Sequence, residues 1–166
     1  MAENFSVRSP QLREGARIAD EQLFNKYGCH GANLSPALEW RNPPGGTRSF
    51  AVTVYDLDVP SGADFWHWLI FNIPANTTHL AKGAGDPQAH LAPPGAIQSR
   101  NDFGAIGYGG PCPPPGDKPH RYEFTVYALR CDKLDELDEH AQAATVSFYL
   151  QENMLSKAVL RATYSR

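Results

Sequence analysis

Asp56, His67, His120 and Tyr122 are the residues of this chain whose types and placement best suit shared chemistry. A carboxylate, two imidazoles and a phenol can recognise an anion, and a carboxylate with two histidines can also hold a transition metal. Asp56 closes the apolar run FAVTVYD (50–56), His67 opens HWLIFNI (67–73), and His120 stands just before RYEFTVYAL (121–129), with Tyr122 two residues further on. Side chains alternate between the faces of a strand. Phe50, Val52, Val54 and Asp56 therefore share a face, as do His67, Leu69, Phe71 and Ile73, and His120, Tyr122, Phe124, Val126 and Ala128. Each stripe is apolar and ends in a polar residue at a loop boundary.

The first two runs are separated by residues 57–66, too short for a parallel crossover, so they pair antiparallel and place Asp56 and His67 at one end of a sheet. If the third run lies beside them in matching orientation, His120 and Tyr122 join that end, and the four form the polar floor of a pocket. The alternative is that each histidine is a satisfied core or edge residue and that Asp56 only caps its turn. Asp58 is expected to order the loop by accepting backbone N–H groups.

The segment before His120, GAIGYGGPCPPPGDKPHRY, holds five glycines and five prolines between Gly104 and Pro119. Its glycines suit either an anion nest or a rigid wall without a ligand. The G-x-x-x-x-G-K-[ST] phosphate loop and the H-E-x-x-H metal helix are both absent. Two enzymatic readings remain beside a binding site: a hydrolase with a metal at Asp56, His67 and His120, or one with Cys112 as nucleophile and His120 as base. Trp66, Trp68 and Tyr108 are either an apolar rim or core.

The elements that must carry these residues are mostly strands. SPALEW (35–40) reads as a short strand, RNPPGGTRS (41–49) as a loop, and 74–119 as a long irregular connection with at most a short helical turn. The last quarter is rich in helix formers and predicts a short helix near 135–141, a second helix over about 146–157 capped by Thr145, and a final strand in VLRATYS (159–165). Strands first and helices last imply an antiparallel β core with terminal helices.

The chain has 166 residues, 42% hydrophobic and 20% charged, which suits one domain spanning 1–166. The net charge of −3 and the lack of a cationic block argue against a nucleic-acid partner. No apolar stretch approaches the ~20 residues of a membrane span. The N-terminal residues lack a signal-peptide core, and the three cysteines, Cys29, Cys112 and Cys131, are odd in number. The expectation is a cytoplasmic protein with three free thiols, Cys112 being the most readily alkylated.

DLDVP (56–60), FWHWLIFNIP (65–74) and GYGGPCPPPGDKPHRYEFTVYAL (107–129) together resemble the phosphatidylethanolamine-binding protein family, the family of Raf kinase inhibitor protein. NLSPALEW (33–40) resembles its bacterial and archaeal branch. The resemblance implies a two-sheet antiparallel β-sandwich with Greek-key connections and C-terminal helices. It also implies a small anion-binding pocket formed by Asp56, His67, His120 and Tyr122, with Pro60, Gly110 and Pro113 in its wall. Expected ligands are a phosphate-bearing small molecule, a lipid headgroup or a phosphorylated protein, bound without a cofactor, a metal or turnover. Some members inhibit a kinase or a protease, and the prokaryotic branch admits a homodimer. The likeness of DLDVP to the family's turn implies a cis Val59–Pro60 bond. Leu57, Phe65, Trp66 and the longer loop with Cys112 depart from the animal branch, so a different rim is expected.

Overall fold

A computed structural model describes residues 4–166. Eight strands and one α-helix follow each other as β1 (Ser6–Arg8), β2 (Leu38–Arg41), β3 (Ser49–Asp56), β4 (Trp66–Pro74), β5 (His79–Leu80), β6 (Ile97–Gln98), β7 (His120–Leu129), α1 (Ala143–Asn153) and β8 (Met154–Tyr164). They form a five-stranded sheet in the order β6-β4-β3-β7-β8 and a three-stranded sheet in the order β1-β2-β5. All strand pairings within the two sheets are antiparallel.

One core fills the space between the sheets. Leu38, Trp40 and Leu80 of the small sheet pack against Phe50, Val52 and Val54 of β3, Trp68 and Ile70 of β4, and Tyr122, Phe124 and Val126 of β7. A second core covers the other face of the large sheet. There Ala51, Leu69, Phe71 and Tyr127 meet Leu134, Leu137 and the Ala143, Val146 and Leu150 stripe of α1. The stripe has helical spacing, and β3 is buried along nearly its whole length because it is covered on both faces.

On β3 and β7 the alternation holds. Phe50, Val52, Val54 and Asp56 pair in register with Ala128, Val126, Phe124 and Tyr122. On β4 it breaks twice. Phe50 pairs with Ile73 but Val52 with Ile70, and Val54 pairs with Trp68 but Tyr55 with Trp66. Asn72, with φ 58°, makes the first bulge, and His67 is the extra residue at the second. Each bulge exchanges the faces of the residues beyond it. Leu69 and Phe71 thus lie toward α1, while Ile73 lies in the inter-sheet core, so the single stripe expected on β4 is split between two faces.

The C-terminal quarter holds one helix rather than two. Residues 135–141 form successive turns, with Leu134 N–H donating to the bulged Asn72 side chain at 2.8 Å. Helix α1 starts at Ala143 behind Gln142, so Thr145 is inside it and caps nothing. It gives way at Met154 because β8 pairs with β7 from Leu129↔Met154 to His120↔Tyr164, and sheet pairing overrides the helix propensity of MLSK. The irregular connection 74–119 holds two further two-residue strands, β5 and β6.

Residues 15–18 run along the outer edge of β8, where Gly15 N–H donates to the Arg161 carbonyl at 2.8 Å and Ile18 N–H to the Thr163 carbonyl at 2.8 Å. Ile18 is fully buried there.

Two expectations about covalent structure are corrected. No peptide bond among the described residues is cis, so Val59–Pro60 is trans. It opens a tight turn in which Gly62 N–H donates to the Val59 carbonyl at 2.9 Å, and a trans proline at the second turn position already has the φ this needs. Cys29 and Cys112 form a disulfide, with Cα atoms 6.0 Å apart, and only Cys131 is free. The two loops meet because Phe24 N–H donates to the Pro111 carbonyl at 3.1 Å. This pairing removes the support that an odd thiol count lent to a reducing compartment. No helix among the described residues is long and apolar enough to cross a membrane.

Candidate functional site

Asp56, His67, His120, Tyr122, Pro60 and Pro113 converge on one cavity of about 300 Å³ at the end of the inter-sheet core. Val59, Phe65, Phe103, Cys112 and Pro114 complete its lining. Asp56 and Tyr122 face each other as register partners on β3 and β7. His67 reaches the same cavity only through its bulge, since plain alternation with Leu69 would have turned it toward α1.

Asp56 both shapes its turn and pairs with a histidine. It is 6% exposed. One carboxylate oxygen accepts the Asp58 N–H at 2.8 Å and shapes the turn, and the other pairs with His120 Nδ1 at 2.6 Å. His120 Nε2 lies 3.0 Å from Asp117 Oδ2. Carboxylates accept only, so with a carboxylate on each ring nitrogen His120 donates twice as an imidazolium. Burial works against its charge, but the bonds and fields of Asp56 and Asp117 outweigh burial and raise its pKa above the ordinary value.

His67 is set up in the opposite sense. Its Nδ1–H donates to the Gly109 carbonyl at 2.6 Å, and Gly109 N–H returns a bond to the His67 carbonyl at 2.9 Å. Burial dominates, and although the Gly109 carbonyl and Asp56 favour charge, the pKa falls to about 4. His67 is therefore neutral, with its proton on Nδ1 and the lone pair on Nε2. Its ring stands edge-on to Tyr122 at 5.3 Å and to Phe103 at 5.4 Å. Tyr122 is fully buried, and its hydroxyl has no hydrogen-bond partner in the protein. Burial first, then the field of Asp56, raises its pKa far out of reach, so it stays a neutral donor.

Two expected site residues support the cavity without lining it. Gly110 N–H donates to Asn33 Oδ1 at 2.7 Å, and a Cβ at Gly110 would collide with the Gln22 carbonyl and the Leu23 backbone. Its glycine serves close packing of the loop on residues 22–24. With the Gly109 and Gly110 N–H groups both bonded inside the protein, the loop is a stiff wall and not an anion nest. Asp58 accepts from Arg121 N–H at 2.7 Å and from its guanidinium at 2.9 and 3.0 Å, tying the β3 turn to β7. Asn33 adds a second tie, from Nδ2 to the Tyr108 carbonyl at 3.2 Å.

Of the two readings of the aromatic residues, core holds for Trp68 and Tyr108. Trp68 is core, with Nε1 donating to Gln98 Oε1 at 2.7 Å, and Tyr108 is buried with its hydroxyl on the Gln22 carbonyl. Trp66 lies in a separate cleft with Arg100, Asp102 and the start of α1. Phe65 and Phe103 supply the apolar wall instead, their ring centroids 4.9 Å apart. Neither enzymatic constellation forms as expected. Among the described residues no group of three His, Cys, Asp or Glu side chains is placed to hold a metal, and Cys112 is tied up in its disulfide. The residue missed by sequence reasoning is Asp117. Its only signal was a carboxylate three residues before a histidine in a proline-rich turn.

Comparison with known proteins agrees with this architecture. The sequence profile of the family described as phosphatidylethanolamine-binding protein matches residues 8–165. The Escherichia coli protein YbcL is 44% identical over 160 residues, which cover 96% of this chain and 87% of that protein. The E. coli protein YbhB is 43% identical over 95% of this chain and 98% of its own length. The crystal structure of YbcL superposes with a TM-score of 0.95 over 98% of both chains. The Chlamydia trachomatis homologue CT736 has a TM-score of 0.80 at 28% identity, covering 98% of this chain and 97% of its own. By profile, by bacterial and archaeal relatives, and by a shared two-sheet fold, this chain belongs to the phosphatidylethanolamine-binding protein family.

Proposed function

We propose that the cavity binds the phosphate group of an organic ligand and that the protein acts as a recognition module without turning that ligand over. The observation that carries this reading is the Tyr122 hydroxyl, a buried donor without a protein partner, on a side chain that lines the 300 Å³ cavity. An unmatched buried donor costs about 1–3 kcal/mol, and an acceptor oxygen from a ligand recovers that cost. The imidazolium of His120 supplies the positive charge beside it. Phe65, Phe103 and Pro113 line the cavity with apolar surface, which suits the carbon part of a phosphomonoester better than a fully hydrated ion.

Calorimetric titration with phenyl phosphate, O-phosphoethanolamine and inorganic phosphate tests the reading and separates its sources. Binding of an organic phosphate is expected, with inorganic phosphate weaker because it leaves the apolar wall empty. Tyr122→Phe should weaken binding about fivefold to tenfold, the worth of about one hydrogen bond, without lowering the unfolding temperature. No saturable binding of any of the three at millimolar concentration would refute the proposal.

A further inference from the structure

An anion entering the cavity finds both donors of His120 already taken. Asp56 holds Nδ1 at 2.6 Å and Asp117 holds Nε2 at 3.0 Å. Two carboxylates around one imidazolium leave a local charge of −1, which repels the phosphate that the site is proposed to bind. One carboxylate must withdraw before a ligand can reach the imidazolium.

The two differ in how firmly they are held. Asp56 is 6% exposed at the end of β3, and its second oxygen is committed to the Asp58 N–H. Asp117 sits on an exposed turn, its side chain 23% exposed. The turn Pro114-Pro115-Gly116-Asp117 has proline second and, at Gly116, φ 90° third, and it is closed by Asp117 N–H on the Pro114 carbonyl at 3.3 Å. Pro114, Pro115, Gly116, Lys118 and Pro119 are all exposed, and a side chain at Gly116 would meet open space. Both flanks of the turn are anchored. Cys112 is disulfide-bonded to Cys29, Arg166 Nε donates to the Pro113 carbonyl at 2.7 Å, and His120 begins β7. Movement is thereby confined to residues 114–119. His120 and Pro60 line both the main cavity and a neighbouring cleft that Asp58, Asp117, Lys118 and Pro119 complete, so Asp117 meets the ring from the neighbouring cleft.

We propose that Asp117 is an internal stand-in for the ligand's anionic group: it occupies His120 Nε2 in the empty protein and is displaced, on the 114–119 turn, when a phosphate oxygen takes its place. This rests on the phosphate-binding reading above and adds the step that makes it electrostatically feasible. The exchange replaces one anion by another at the same donor. His120 stays charged before and after, so ligand binding takes up few protons. The stand-in also sets a threshold: a weakly charged ligand cannot compete with a tethered carboxylate, whereas a phosphate dianion can. The groups that face His120 from the packed elements are Asp56 and Asp58 at the end of β3, His67 on β4, Tyr122 on β7 and Tyr164, its register partner on β8. Of these only Asp56 is hydrogen-bonded to the ring, so removing Asp117 leaves a single carboxylate to sustain the imidazolium.

The test is Asp117→Asn, nearly isosteric and at a partly exposed position, titrated with phenyl phosphate between pH 7 and 8.5, where the ligand is a dianion above its second ionisation near ~6. Thermal unfolding checks that the variant is folded, and His120→Ala serves as the control for the site. At pH 7 the variant should bind about tenfold tighter than the wild type. Its advantage should shrink as pH rises, because His120 has lost one of its two carboxylates, while the wild-type affinity stays nearly flat. In parallel, the NMR titration of the His120 ring should move to lower pH in the variant. If the wild type binds, His120→Ala does not, and Asp117→Asn binds no tighter at pH 7, the stand-in is overturned and the phosphate site stands. If neither the wild type nor Asp117→Asn binds, both fall together.

Discussion

His67 and His120 line one cavity, are both about 3% exposed, and are held in opposite charge states by the two regions that carry them. The start of β4 surrounds His67 with a backbone carbonyl and aromatic edges, so the ring gives up its charge and keeps one proton. The start of β7 places His120 between two carboxylates, so the ring stays charged. Neither ring is open to solvent, His67 is the more deeply buried, and the partners differ. A carbonyl orients an imidazole and compensates its charge only weakly, whereas a carboxylate does both. The cavity thereby holds one fixed acceptor and one fixed cation from a single residue type.

Truncating each ring is the strongest way to break the comparison. His120→Ala leaves Asp56 and Asp117 without their cation, and loss of one partner from a buried pair costs about 3–5 kcal/mol. His67→Ala removes the ring from a carbonyl and should cost about 1–3 kcal/mol. Urea unfolding at neutral pH measures both, and equal losses would mean that the carboxylates do not matter.

Cutting the disulfide asks whether the two regions share one support. Cys112 lies between Gly109, the partner of His67, and Asp117, the partner of His120. The bond spans 83 residues, and its removal in the double variant Cys29→Ser/Cys112→Ser should lower stability by about 2–4 kcal/mol. Mass spectrometry of the alkylated, unreduced wild type should find one modified cysteine, Cys131. Labelling of all three would return the cysteines to the free state expected from their number.

The pH dependence of stability sharpens the contrast, because the two histidines contribute with opposite sign. His67 titrates at about 4 in the fold against ~6.5 when unfolded, so its contribution is complete above pH 6.5 and is lost as pH falls through that window. At ~1.4 kcal/mol per unit the loss approaches ~3 kcal/mol. His120, raised in the fold, contributes fully below ~6.5 and loses that contribution as pH rises through its folded value. Stability should therefore peak near pH 6.5. His67→Asn should flatten the acid limb alone and Asp117→Asn should weaken the alkaline limb alone; either variant flattening the other limb would contradict the assignment.

The smallest expected effect is at Asn33, which ties the Gly110 N–H and the Tyr108 carbonyl to the loop behind His67. Asn33→Ala should cost about 1–2 kcal/mol and leave the His120 titration unchanged, since no bond of Asn33 reaches the β7 side.

Asp56, His120 and Tyr122 were legible from alternation because β3 and β7 run unbulged over the relevant stretch, with Asp56 directly opposite Tyr122. His67 was placed at the correct end of the sheet by a stripe that does not exist. Leu69 and Phe71 face α1, and only the bulge returns His67 to the cavity. Bulges leave no mark in an apolar run, so periodicity cannot see them. Asp117 and the Cys29–Cys112 pair lie in loops, where no period links position to neighbour, and they meet their partners only once the sheet has closed. The start of β8 was hidden for another reason: MLSK favours a helix until β7 offers it a strand to pair with. The Gly–Pro segment was recognisable as a wall but not as one whose amides are already satisfied.

Ile18 is buried in the inter-sheet core beside a strand that the ribosome makes much later. Its segment borders β8 across a separation of 147 residues, seen in the contact of Thr163 with Ala16. At about 5–20 residues per second, roughly 7–30 s pass between synthesis of the two. Throughout that interval its segment has no β8 edge to border, and a closure of this span places the fold among slowly maturing, high-contact-order topologies. The strip that finishes the edge of the large sheet can therefore dock only after β8 itself has been made.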